Sequence, residues 1–283
     1  MTERFSLSLE QIAHAVGDLP TMPHIANMAM EKLSDPNVTS KEIERIIYKD
    51  QAIAARILRI ANSAAYSRRR TIQTISEAVL TVGFKTIRTI LISSALHDFF
   101  KSFGLAEKLM WRHSLGCAFI SRMIGQKLKF SMVEEAFLAG LLHDVGKVVL
   151  YLKVPQKMLL IVQEVYNNPG YTFLQLEQHL FGFNHAQLGE LVARKWNFGP
   201  EIIEAIGKHH RPEVAEVLPP LTHIVHLSNC FCHKLEVGFT RRPDLRLEEL
   251  SSVKFLGLDK PTLDEMFEGA GRSLEADADL FSV

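Results

Sequence analysis

Between residues 39 and 235 the apolar side chains recur at spacings of three and four, and no stretch of useful length alternates apolar with polar. A chain with that period buries one stripe of each segment, so it assembles from helices rather than sheets. Thr39 or Ser40 offers an N-cap to a segment whose Ile43, Ile46 and Ile47 share a face. Past Asp50-Gln51 the stripe resumes at Ile53, Ile57, Leu58 and Ala61. The same pattern predicts a helix pair over 75–98, broken at Val82-Gly83, and helices over 105–128, 133–142, 156–167, 172–180, 185–196, 200–210 and 219–235. Pro and Gly fall between these segments, at Pro36, Gly170, Pro200, Pro212 and Pro219, where helices start and stop. The predicted fold class is all-α. Residues 236–283 are the least patterned, and one or two peripheral helices with a mobile tail are expected there.

Composition excludes several functions. With 47% hydrophobic residues the chain is too apolar for a disordered segment, and 32 basic against 32 acidic side chains leave no net charge for a general polyanion binder. Three cysteines, Cys117, Cys230 and Cys232, are too few for a disulfide framework and suit a reducing compartment. The N-terminal MTERFSLSLEQ has no signal-peptide pattern, and no window is long and apolar enough for a membrane span. A soluble cytoplasmic protein is the expectation.

Histidine is the unevenly placed residue: nine of the 12 lie between His113 and His233. The run Gly140-Leu-Leu-His-Asp-Val-Gly-Lys147 sets a histidine beside a carboxylate at the end of an apolar helix. Adjacent helical residues point about 100° apart, so His143 and Asp144 can share one ion only where the helix ends or bends, and Gly146 is the expected break. Asp144 has two oxygens and could bridge two cations, which would clamp a phosphoryl group, while Lys147 could neutralise a phosphate oxygen. His97-Asp98 repeats the dipeptide without Gly or Lys and is read as structural. Around His143-Asp144 stand His113, after Trp111-Arg112; His185, opening His185-Ala-Gln-Leu-Gly189; and the pair His209-His210, ending the helix that starts at Pro200.

This series, His113, His143-Asp144, His185, His209-His210, resembles the HD superfamily of metal-dependent phosphohydrolases. The N-terminal half narrows the resemblance. Leu19-Pro-Thr-Met-Pro23, Ala54-Ala-Arg-Ile-Leu-Arg-Ile-Ala-Asn-Ser63 and Ile75-Ser-Glu-Ala-Val79 with Gly83 are similar to the pattern of the HDOD family, over about residues 8–235. The resemblance implies a metal held by His113, His143, Asp144 and a carboxylate of a later helix, and a second held by Asp144, His185, His209 and His210. Asn229 stands where that carboxylate is expected, and an uncharged amide binds a divalent ion more weakly. Arg211-Pro212-Glu213 replaces the Gly-Tyr-Pro segment of the HD-GYP relatives, which argues against cyclic-di-GMP hydrolysis.

The resulting expectation is an N-terminal helical bundle (1–100) packed on an HD-type helical core (101–235), with 236–283 peripheral. Its function is expected to be that of a bacterial-type signal-transduction module carrying one or two divalent ions, iron favoured over manganese, nickel or zinc, and engaging a signalling protein. Neither nucleic acid nor membrane is an expected partner. The alternative is a phosphohydrolase or phosphodiesterase acting on a phosphorylated small molecule, with Asp144 and Lys147 catalytic. Cys230-Phe-Cys232-His233 lacks zinc-finger spacing and reads as buried helix cysteines. His179, His223 and His226 read as surface or packing residues, and Ser67-Arg-Arg-Arg70 as a solvated basic turn.

Overall fold

The computed structural model describes the chain except for residues 1–8, 23, 34, 64–65, 67–70, 101–104, 169 and 277–283, and the side chains of 9, 26, 95–100, 105 and 107. The basic turn Ser67–Arg70, the side chains of His97-Asp98 and the last residues of the tail therefore lie outside the described residues. Those that are described form helices and connecting turns, with no strand among them, so the predicted all-α class is observed. They divide into two compact units, one of residues 22–111 and 271–283, the other of residues 1–21 and 112–270.

Helix α1 (Leu9–Val16) belongs to the second unit, and the first is built from α2 (His24–Leu33), α3 (Ser40–Ile47), α4 (Gln51–Ala61), α5 (Ile75–Val82) and α6 (Phe84–Phe100). Its helices start where side chains satisfy the orphan N–H groups of the first turn. Thr39 and Glu42 form a reciprocal capping box on α3, Asp50 accepts from the amides of Ala52 and Ile53 on α4, and Thr74 accepts from Glu77 on α5. Ile43, Ile47, Ile57, Ile75, Ile87 and Ile90 are wholly buried as its core. At about 1.5–3 kcal/mol per buried side chain, this core outweighs any helix propensity term. The Asn62 of the Ala-Asn-Ser motif is structural. Its amide donates to the Ile72 carbonyl at 2.9 Å while its Oδ1 accepts from the Ile72 N–H at 2.8 Å. It thereby ties the end of α4 to the segment leading into α5.

The second unit adds α7 (Leu105–Lys127), α8 (Val133–Leu142), α9 (Val145–Lys153), α10 (Pro155–Asn167), α11 (Phe173–Phe181), α12 (His185–Lys195), α13 (Pro200–Lys208), α14 (Pro219–Lys234), α15 (Ser251–Phe255) and α16 (Lys260–Ala276). The division between units falls within α7 and α16. Helix α12 packs on α9 and α13, and α14 on α8 and α13, so these elements meet where the histidines lie. Leu19 and Pro20, from the Leu-Pro segment, accept hydrogen bonds from Lys195 Nζ and Trp196 Nε1 at the end of α12. Helix α16 is longer than the weak patterning suggests, held by Leu263, Met266 and Ala270 on one buried stripe. Among the described residues no helix is long and apolar enough to cross a membrane.

Candidate metal centre

Helix α8 is buried over Ala136–Leu142 and ends at His143, and α9 starts at Val145. The break expected at Gly146 lies earlier, at His143-Asp144 itself, and this turn lets the two side chains converge. Gly146 sits inside the first turn of α9 and serves close approach instead. A Cβ there would lie 2.8 Å from the carbonyl carbon of His185 and 2.9 Å from the Gly189 nitrogen, both backbone of α12.

The two oxygens of Asp144 divide the histidines between them. Oδ2 lies 3.4 Å from His143 Nε2 and 3.6 Å from His113 Nε2; Oδ1 lies 3.2 Å from His185 Nε2 and 3.8 Å from His209 Nε2. His210 Nε2 is 2.9 Å from His185 Nε2. Each of four rings is oriented through its other nitrogen. Nδ1 of His113 faces the Val237 carbonyl at 2.8 Å, that of His143 the Gly140 carbonyl at 2.7 Å, and that of His209 the Ile206 carbonyl at 2.7 Å. Nδ1 of His185 faces Glu177 Oε2 at 2.6 Å. A carbonyl can only accept, and the Glu177 carboxylate accepts likewise. The proton therefore sits on Nδ1, and Nε2 presents its lone pair to the centre.

Burial sets the protonation states. It pushes His113, His209 and His210 below the ordinary histidine value, and takes His143 down to about 4 against the pull of the Asp144 carboxylate. Burial would also raise Asp144, but His143, Lys147, His185 and His113 together outweigh it and hold the carboxyl well below the usual range. These are the states that donors to a cation require: neutral imidazoles and an ionised carboxylate. The fit can be tested on unpaired atoms. Among the described residues His143 Nε2, His209 Nε2, Asp144 Oδ1 and Asn229 Oδ1 are buried without a hydrogen-bond partner, although buried polar groups are otherwise satisfied. Three groups are spaced to hold an ion: His143, Asp144 and His209; His185, His209 and His210; and His113, Cys117 and His143.

Other residues depart from the sequence expectation. Lys147 donates to Asp144 Oδ2 at 2.7 Å and lies 4.5 Å from the centre of the Phe173 ring, so its ammonium points inward rather than into open solvent. Glu177, which belongs to no motif, is wholly buried and also accepts the backbone N–H of His185 at 2.8 Å. Its only sequence signal is a charged residue on the inner face of α11, a helix that otherwise shows an apolar stripe. His233, which the motif does not include, stacks on His113 with centroids 5.4 Å apart. His223 packs on Phe255 and bonds Ser252, His226 reaches the His209 carbonyl, and His179 is exposed. Gly238, at φ +108°, makes the turn that brings the Val237 carbonyl to His113, a backbone state side-chain-bearing residues rarely adopt. A groove of about 550 Å³ opens beside the cluster, lined by Gln175, Gln178, His179, Gln187, His210 and Arg211.

Comparison with known proteins gives this geometry a family context. A family model described as HDOD domain matches residues 19–212. A solved HDOD domain protein of unknown function from Geobacter sulfurreducens is 28% identical, with a TM-score of 0.82 over 99% of each chain. Among curated proteins, an uncharacterised protein of Treponema pallidum is 25% identical over 77% of this chain, and Ribonuclease Y of Lawsonia intracellularis is 26% identical over 82% of it. The chain spans only 43% and 35% of the lengths of those two proteins.

Proposed function

The chain belongs to the HDOD family, and on that footing we propose that it is a signalling module built round an HD-type divalent-metal centre, acting through a partner protein rather than through rapid turnover. The observation that carries this reading is the convergence of four Nε2 atoms on the two oxygens of one carboxylate, each ring oriented through Nδ1. In this reading Asp144, His185, His209 and His210 hold one ion. Asp144, His113 and His143 face the second position, with the neutral Asn229 beside them. Imidazole and carboxylate donors at the first position suit iron, manganese, nickel or zinc, and we take iron as the native ion. When bound, such an ion supplies Lewis acidity toward a phosphoryl oxygen. Burial supports regulation over turnover: His143, His185 and His209 are wholly buried, and Lys147 is engaged by Asp144.

The groove that reaches His210 and Arg211 favours a second reading, hydrolysis of a phosphoester approaching from that face. Arg211 would bind the phosphate, and the neighbouring amides of Gln175 and Gln187 would orient it. The match to a ribonuclease, whose name denotes phosphodiester cleavage, is consistent with it.

Metal content per chain of the purified protein, measured by plasma mass spectrometry beside an Asp144→Ala control of verified helicity, tests the first reading. One or two ions per chain, lost in the control, are expected. A chain that stays metal-free after incubation with Fe²⁺, Mn²⁺ and Zn²⁺ would overturn it. Robust hydrolysis of a nucleotide or phosphodiester panel, abolished by Asp144→Ala in a folded protein, would replace it with the second.

A further inference from the structure

The end of the cluster that faces Asn229 contains a sulfur the family resemblance does not provide. Cys117 lies one helical turn after His113 on α7, so the two side chains share a face. Its Sγ is 3.7 Å from His113 Nε2, and His113, Cys117 and His143 each offer a ligand atom within 4.8 Å of the others. His143 Nε2 is buried and unpartnered in the same space, and the buried Asn229 lies beside His113.

We propose that Cys117 is a metal ligand: its thiolate joins His113, His143 and Asp144 in a four-coordinate, zinc-preferring site that supplies the negative charge missing at Asn229. This inference rests on the metal-centre reading above and concerns its second position. The distances support it. With metal–nitrogen and metal–oxygen bonds of about 2.1 Å and a metal–sulfur bond of about 2.3 Å, a tetrahedral site has N–S edges of about 3.6 Å and N–O edges of about 3.4 Å. Three of the six edges sit near these values, 3.7 Å for His113–Cys117, 3.6 Å for His113–Asp144 and 3.4 Å for His143–Asp144; His143 lies within 4.8 Å of both His113 and Cys117, while Asp144 falls outside that group, so binding must draw its carboxylate and the sulfur together. Orienting contacts are in place as well: backbone carbonyls hold the two rings, and the Cys117 S–H donates to Cys232 Sγ at 3.5 Å, which fixes the position of the sulfur before the thiol ionises. On binding, the Cys117 thiol proton leaves to solvent and the sulfur lone pair goes to the metal. A thiolate shifts preference toward softer ions, whereas the His185, His209 and His210 end has only nitrogen and oxygen donors. Cys230, whose sulfur is 3.6 Å from His226 Nε2, stands apart from this group.

The test is titration of the metal-free full chain with Co²⁺, read by absorbance, with Cys117→Ser and Cys230→Ser in parallel and total cobalt per chain measured on each. A near-ultraviolet thiolate-to-cobalt charge-transfer band is expected in the wild type and in Cys230→Ser, and its complete loss in Cys117→Ser. X-ray absorption of the zinc-loaded wild type gives a second readout that needs no variant, a single sulfur scatterer at about 2.3 Å. Cobalt bound without the band, the band surviving in Cys117→Ser, or zinc with only nitrogen and oxygen neighbours would overturn the inference and leave the metal-centre reading standing. Failure to bind either ion at all would overturn both.

Discussion

Glu177→Gln separates a residue that positions a metal ligand from one that merely fills space. Glu177 is wholly buried, and its Oε2 accepts from both the backbone N–H and Nδ1 of His185, at 2.8 and 2.6 Å. Glutamine has the same shape and keeps an acceptor oxygen, so the ring stays oriented while the charge behind it disappears. A carboxylate behind a ligating imidazole raises its basicity, and removing such a partner costs about 10–100-fold in metal affinity, or about 1.4–2.7 kcal/mol. Ligand stabilisation grows as the logarithm of concentration over Kd, so at saturating metal the same energy vanishes from the folded state. For a chain of this size, at about 2–4 °C per kcal/mol, the metal-induced rise in Tm should shrink by about 3–10 °C. The metal-free Tm should move much less, because the hydrogen bonds of the Glu177 carboxylate go to His185, and glutamine keeps an oxygen to accept them. Calorimetric melts with and without metal, beside chelator-competition titrations, measure both quantities. An unchanged affinity together with a lower metal-free Tm would refute the reasoning and make Glu177 a packing residue.

Three further outcomes are expected. Gly146→Ala forces α9 away from α12, because the new methyl meets backbone that no rotamer can move; it should cost about 3 kcal/mol in urea unfolding and abolish metal binding, and a wild-type midpoint would sink the close-approach argument. Glu204 accepts the amides of Glu216, Val217 and Leu218 at 2.8–3.0 Å as well as Lys208 Nζ; Glu204→Ala should destabilise by about 2–4 kcal/mol with metal stoichiometry intact, and a loss under about 1 kcal/mol would contradict it. Acid should weaken the metal-free protein early. Burial holds His143 at about 4, below its unfolded value of about 6.5, so the unfolded chain takes up a proton that the folded one does not. Stability contributed by this group is therefore lost as pH falls from about 6.5 to about 4, and a flat denaturation midpoint across that window would count against a neutral buried ring.

The helices and the chemistry are legible in the sequence to different depths, for reasons that individual residues make plain. Helices such as α10 and α12 follow from apolar period and their start signals, Pro155 on one and the Asn184 capping box on the other, because burial of a single stripe decides their existence. Helix α9 escapes that reasoning because it starts directly after the His-Asp motif and every residue from Val145 to Tyr151 is buried, so no polar face gives away the period. The series of five histidines and one carboxylate is legible because ligands must be particular residue types, and the structure brings all six side chains to one place. Asn229 stands out in the sequence for the charge it lacks, and the structure sets it, buried, beside His113 of that same cluster. Glu177, Cys117 and His233 are not legible. They act through proximity across α11, α7 and α14, and a buried glutamate or cysteine carries no local pattern to distinguish it from a surface or packing residue. What surrounds a ligand is fixed by packing angles between helices far apart in sequence, and such angles leave no trace in the spacing of any one segment. The same logic gives the missing charge at Asn229 its meaning: a centre can lose a carboxylate from one helix and recover a negative donor from another, provided the helices already pack within a bond's reach.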